Sequence, residues 1–126
     1  MSLETPIHKA QGLGSAHSGV GHFVRQRLTA IALIPLTIWF GISMLGLAGT
    51  GEVSVLMFLS HPLNAILMGA FVTISAYHMA LGIHEVILDY VPHEGAKILL
   101  ILLNRAFAFA VAAACLFALL RIAVGT

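Results

Sequence analysis

A histidine at position 78 lies inside a long apolar run, and eleven residues later, where that run turns polar, the chain reads Asp89-Tyr90. An imidazole in sequence of hydrocarbon length is costly unless a metal, a cofactor or a polar partner receives it. A carboxylate at the border can accept or release a proton. A phenol, neutral below its reference pKa of about 10, can hydrogen-bond a carbonyl without bringing charge into a low-dielectric cleft. On a helix, position i+11 returns to within about 20° of position i after rising about 16 Å. His78, Gly82, Glu85 and Asp89 therefore form one stripe, running from a buried imidazole to an acid at the surface where protons and an amphipathic ligand both arrive. Gly82, one turn from His78, would leave room for a flat macrocycle against the backbone.

One reading of His78 is axial ligation of haem iron, for which imidazole is a common protein donor. The competing reading is a structural histidine bonded to a carbonyl or to Ser75 between helices. Spacing leaves both open. A six-coordinate haem held by two histidines would need the second from another chain. The first and third apolar runs contain none, and His84, six positions from His78, points about 120° away from it. Arg25 and Arg27 stand before the first apolar run, where they can meet carboxylates such as haem propionates or anchor in lipid headgroups. His22 fits either role. Arg105, about two turns into the third run, is at snorkelling depth and receives no function here. Tyr90 reads either as a donor to a quinone carbonyl or as a member of the interfacial aromatic belt.

These residues need spans to hold them, and composition supplies spans. Of 126 residues, 60% are hydrophobic and 9% charged, with a mean hydropathy of +1.01. The expectation is an all-α membrane protein. A hydrocarbon core of about 30 Å needs about 20 apolar residues per helix, so the length accommodates three crossings and no sizeable soluble domain. Residues 28–48, 63–87 and 98–120 are the three predicted spans, with 52–59 a short helical or interfacial piece. The whole of 1–126 reads as one membrane-anchor domain: a polar N-terminal segment, 1–24, and a three-helix bundle, 25–126. Pro35 inside the first span is tolerable, because neighbours satisfy the freed carbonyl. A net charge of +1 with six scattered Lys and Arg excludes a nucleic-acid-binding face. The lone Cys115, mid-span, builds no disulfide within the chain and reads as packing.

Lys9, Arg25 and Arg27 precede the first span, whereas the loop after it has no Lys or Arg. The positive-inside bias then puts the N-terminus in the cytoplasm, Tyr90 on that same side, and the C-terminus in the periplasm. Residues 1–21 have neither the apolar core of a secretory signal nor the Arg-rich character of a transit peptide, which favours a bacterial inner (cytoplasmic) membrane. Three spans without internal repeat are a poor basis for a transporter.

Two stretches carry a resemblance: residues 15–40, SAHSGVGHFVRQRLTAIALIPLTIWF, and residues 78–90, HMALGIHEVILDY. With the Arg-x-Thr-Ala of residues 27–30 and the His-x10-Asp-Tyr spacing, the chain resembles the smaller of the hydrophobic membrane anchor subunits of succinate dehydrogenase (succinate:quinone oxidoreductase, complex II). That resemblance implies one of two membrane anchors holding a flavoprotein and an iron–sulfur subunit at the cytoplasmic face, the other anchor being of the cytochrome b556 type. It also implies that His78 is one axial ligand of a shared haem b. Tyr90 would hydrogen-bond the ubiquinone headgroup, with Asp89 beside it. Arg27 and, more loosely, His22 match the region that meets the haem propionates. The chain has one cysteine and no dinucleotide fingerprint, so it is not a dehydrogenase alone; its chemistry is a share in quinone reduction. The alternatives are the matching anchor of a fumarate reductase, and a non-catalytic membrane adaptor in which His78 merely bridges helices.

Overall fold

The computed structural model describes residues 16–125, with side chains from Val20 onward. Four helices follow in order: α1 (Ala16–Leu47), α2 (Glu52–Ser60), α3 (Pro62–Tyr90) and α4 (Glu94–Val124). Three of them, α1 from Val20 onward, α3 and α4, are long and apolar enough to cross a membrane. The expected three spans and the short intervening helix are therefore present, but the helices overrun the expected limits. At 32, 29 and 31 residues, α1, α3 and α4 measure about 44–48 Å at about 1.5 Å per residue, against about 30 Å of hydrocarbon. An apolarity criterion sees only the part in hydrocarbon. The backbone goes on hydrogen-bonding through the headgroup layer, where residues such as Arg25, Gln26 and Arg27 are good helix formers. Hence α1 begins at Ala16, and the expected division at residue 24 falls within it. Lys9 and the rest of residues 1–15 lie outside the described residues.

The ends have local causes. Pro35 leaves α1 unbroken. Gly49, at φ +80°, takes the left-handed conformation that ends α1, with the amide of Thr50 donating to the Leu47 carbonyl at 3.0 Å. Pro62 opens α3, where its missing N–H costs nothing. α4 ends on Gly125, also left-handed.

α3 is the central helix, packed against α4 on one side and α1 on the other. Against α4 the approach is close: a Cβ added to Gly69 would lie 3.3 Å from a Leu116 methyl. Asn104 of α4, 7% exposed, donates from Nδ2 to the Ala80 carbonyl of α3 at 2.8 Å. An amide in this position is both satisfied and adhesive, since hydrocarbon offers it no other partner. Little else is enclosed. The buried apolar residues described are Ala76, Leu81, Ile87 and Ala108, while large side chains such as Ile31, Ile34, Phe109 and Leu120 are exposed. An apolar exterior of this extent suits lipid and partner helices, not water.

Candidate functional site

α1 and α3 run antiparallel, and their seam is built turn upon turn. Thr29, Gln26 and His22 of α1 meet His78, Gly82 and Glu85 of α3, in that order. The stripe expected on α3 exists, and α1 covers it. At its deep end Thr29 Oγ1 and His78 Nδ1 are 2.8 Å apart. The same hydroxyl lies 2.9 Å from the Arg25 carbonyl and 3.0 Å from that of Gln26. A hydroxyl has one hydrogen to give. Directed to either carbonyl, it leaves the oxygen to accept from Nδ1–H, and the lone pair of the imidazole is then on Nε2. Metal-bound histidines are commonly held this way, the second ring nitrogen donating to a fixed acceptor.

One turn on, the position a Gly82 Cβ would take is 3.6 Å from Gln26 Nε2. The space expected there for a macrocycle is occupied by the Gln26 side chain, because α1 crosses α3 at that turn. Beside the seam lies a different opening, a shallow groove of about 410 Å³ walled by Ala30, Leu33, Ile34, Thr37 and Ile38 of α1 and by His78. Arg27 precedes Ala30, Ile34 and Ile38 by three, seven and eleven positions, so it shares their flank of α1 and stands at the polar end of the groove. Its guanidinium carbon lies 5.1 Å from the centre of the Phe23 ring, a cation–π contact that steadies it at an exposed site. An apolar trough with one imidazole on its wall and an arginine on the same flank of α1 fits half of a haem site. It also answers the competing reading in part: His78 does bridge helices, through Thr29 and not through Ser75 or a carbonyl, and the bridge engages a single nitrogen.

His22 is held elsewhere. Its Nδ1 is 2.7 Å from Glu85 Oε1, and its ring stacks on His84 at 5.1 Å between centroids. Arg25, which sequence grouped with Arg27, points away from the trough into a cleft between α1, α3 and α4 that it lines with His22, Tyr77, His84 and Arg105. Asp89 and Tyr90 end α3 on the border with the connection to α4, both exposed, Tyr90 at 80%. Since α3 descends past α1 in the opposite sense, Tyr90, Asp89, Arg27 and the start of α4 share one end of the bundle. Among the described residues no group of three or more His, Cys, Asp or Glu is placed to hold a metal ion; an axial haem ligand needs one. Sequence reasoning passed over Thr29 and Gln26, although their i, i+3 spacing, with His22 four positions before Gln26, marked a polar line on α1 facing the polar line of α3.

A three-span membrane anchor with this seam has relatives. Residues 1–117 match the family described as succinate dehydrogenase/fumarate reductase transmembrane subunit. A succinate dehydrogenase hydrophobic membrane anchor subunit of Paracoccus denitrificans is 33% identical over 125 residues, 99% of this chain and 96% of that protein. One from Rickettsia bellii is 34% identical over 101 residues, 80% of this chain and 81% of that protein; one from Rickettsia conorii is 32% identical over 107, 83% and 84%. No solved structure matches the chain. The chain belongs to the succinate dehydrogenase/fumarate reductase transmembrane subunit family and is a multi-pass membrane anchor.

Proposed function

We propose that this chain is the smaller hydrophobic anchor of a succinate:quinone oxidoreductase, contributing His78 as one axial ligand of a shared haem b and Tyr90 with Asp89 to a ubiquinone-reduction site. The observation that carries the reading is the Thr29–His78 bond of 2.8 Å beside an open apolar trough. A hydroxyl that already donates to a carbonyl fixes the imidazole as an Nδ1–H tautomer, leaving Nε2 as the ligating nitrogen. Arg27, on the flank of that trough, suits a propionate; Glu85 holds His22, so the propionate role rests on Arg27. Haem, when bound, would add a one-electron carrier to the anchor. The second histidine belongs to the companion anchor, in keeping with the half-lined trough.

Reduction of a quinone to a quinol takes two electrons and two protons. The electrons are those of the flavoprotein and iron–sulfur partners; the protons come from water at the end of the bundle where Asp89 and Tyr90 are exposed. Tyr90 donates its O–H to a quinone carbonyl, and Asp89, next to it, holds or passes a proton. Relatives described as succinate dehydrogenase anchors favour succinate oxidation over fumarate reduction, and the bacterial cytoplasmic membrane as the setting.

The test uses the complex purified from membranes. His78→Ala is expected to lose the bis-histidine haem spectrum, and Tyr90→Phe to lower quinone reduction at least tenfold, about 1.4 kcal/mol of transition-state stabilisation. Succinate oxidation by an artificial acceptor at the soluble subunits should persist in both. An unchanged haem spectrum in His78→Ala, or equal loss in both assays for Tyr90→Phe, would overturn the assignment.

A further inference from the structure

The cleft between α1, α3 and α4 plays no part in haem ligation or quinone chemistry as proposed above. It encloses about 480 Å³ and lies on the side of α3 turned roughly 120° from His78, as the position of His84 on its wall requires. Its two ends differ in kind. Toward the end of the bundle that carries Tyr90 it is lined by Arg25, His22, His84 and Arg105; deeper, its floor is Ala76, Ala80, Ala108 and Ala112, flanked by Phe109. Alanines on both α3 and α4 let a furrow run between two helices that elsewhere touch.

Arg105 is the residue in need of explanation. It lies eleven positions beyond the start of α4, about 16 Å along the axis, and among the described residues it makes no hydrogen bond or ion pair. An arginine at such a depth is costly without an anionic partner. Among the described residues Arg25 uses only Nε, donating to the Gly21 carbonyl at 3.1 Å, which leaves its two terminal nitrogens to bind an anion. No acid lines the cleft among the described residues, and Glu85, next to His84 in the chain, already pairs with His22 at 2.7 Å. Two guanidinium groups above an apolar furrow therefore lack the anion that would neutralise them. We infer that this cleft binds one anionic phospholipid: Arg25 and Arg105 take the phosphate in charge-assisted hydrogen bonds, His84 adds a polar wall, and an acyl chain lies along the alanine floor against Phe109. Because phosphate and chain are recognised together, free phosphate does not substitute. The inference stands apart from haem ligation by His78, whose spectrum serves as a control.

The test is native mass spectrometry of the purified complex after exchange into detergent, with phosphatidylglycerol or phosphatidylcholine added back. The wild type should retain one phosphatidylglycerol per chain in preference to phosphatidylcholine, and 10 mM-range inorganic phosphate, on the order of ten-thousandfold above a micromolar binding constant, should not displace it. Arg105→Gln is expected to weaken retention about tenfold, and Ala112→Phe, which fills the furrow and leaves both arginines, to weaken it as well. The haem spectrum should be unchanged in each. A benzophenone amino acid in place of Phe109 should cross-link to lipid in the membrane. Equal retention by Arg105→Gln, equal retention of the two lipids, displacement by inorganic phosphate, or cross-linking of position 109 to a partner protein would each overturn the assignment.

Discussion

At the scale of single residues, the most consequential side chain is one that carries no redox chemistry. Thr29 Oγ1 lies 2.8 Å from His78 Nδ1 and within reach of two backbone carbonyls; with its hydrogen on either carbonyl it accepts from Nδ1–H and so sets the tautomer of His78. Thr29→Val keeps the shape and removes the acceptor, so Nδ1–H is left unsatisfied at a cost of about 1–3 kcal/mol. If His78 ligates haem, this variant should retain haem more weakly and with an altered reduction potential, because a ligand histidine loses basicity with its acceptor. Thr29→Ser restores the hydroxyl and should restore the potential; potentiometric titration of the α band in the three proteins checks this. A potential unmoved by Thr29→Val would show that the hydroxyl positions the helix and not the ligand.

At the scale of elements, the seam between α1 and α3 and the packing of α4 on α3 are separable. Gly82 faces Gln26 at ordinary van der Waals distance, so Gly82→Ala should be accepted, whereas Gly82→Leu has no room and should pry α1 from α3. If His78 ligates haem, haem retention is then lost together with the Thr29–His78 contact, which the visible spectrum reports, while Gly82→Ala keeps both. The α3–α4 contact depends on Asn104. Asn104→Leu exchanges a buried amide and its bond to Ala80 for packing, and should cost about 1 kcal/mol, the usual scale for such bonds within membranes. Thermal denaturation of the purified complex, followed by loss of helical circular dichroism, measures it. Both elements were legible as helices from apolar length, but not the partnership between them: a hydropathy pattern has no term for which polar line faces which.

At the scale of the whole molecule, the chain does not enclose itself. α3 has neighbours on two sides, while large apolar side chains on all three long helices remain exposed, and the trough beside His78 is closed on the α1 side only. An anchor of this shape is completed by lipid and by other subunits. The arginines before the first span and their absence from the loop after it predict the end bearing Tyr90 to be cytoplasmic. An alkaline phosphatase fused after residue 126 should then be active, and one fused after Tyr90 within a truncated chain inactive, in a bacterial host. The reverse pattern would move the proposed quinone site to the opposite face.

Apolar length and charge placement by themselves determined that this protein crosses a membrane three times, and the spacing of His78, Asp89 and Tyr90 placed imidazole, acid and phenol along one helix. Those properties are local: the hydrocarbon core selects each span separately, and helical geometry fixes each stripe. Only the tertiary arrangement decided that α1 lies over that stripe, that Gln26 lies beside Gly82, and that Arg25 lines the cleft between α1, α3 and α4 while Arg27, two residues on, stacks on Phe23. Those outcomes depend on how α1 crosses α3, and the crossing follows from side-chain packing between segments some fifty positions apart, such as Thr29 and His78.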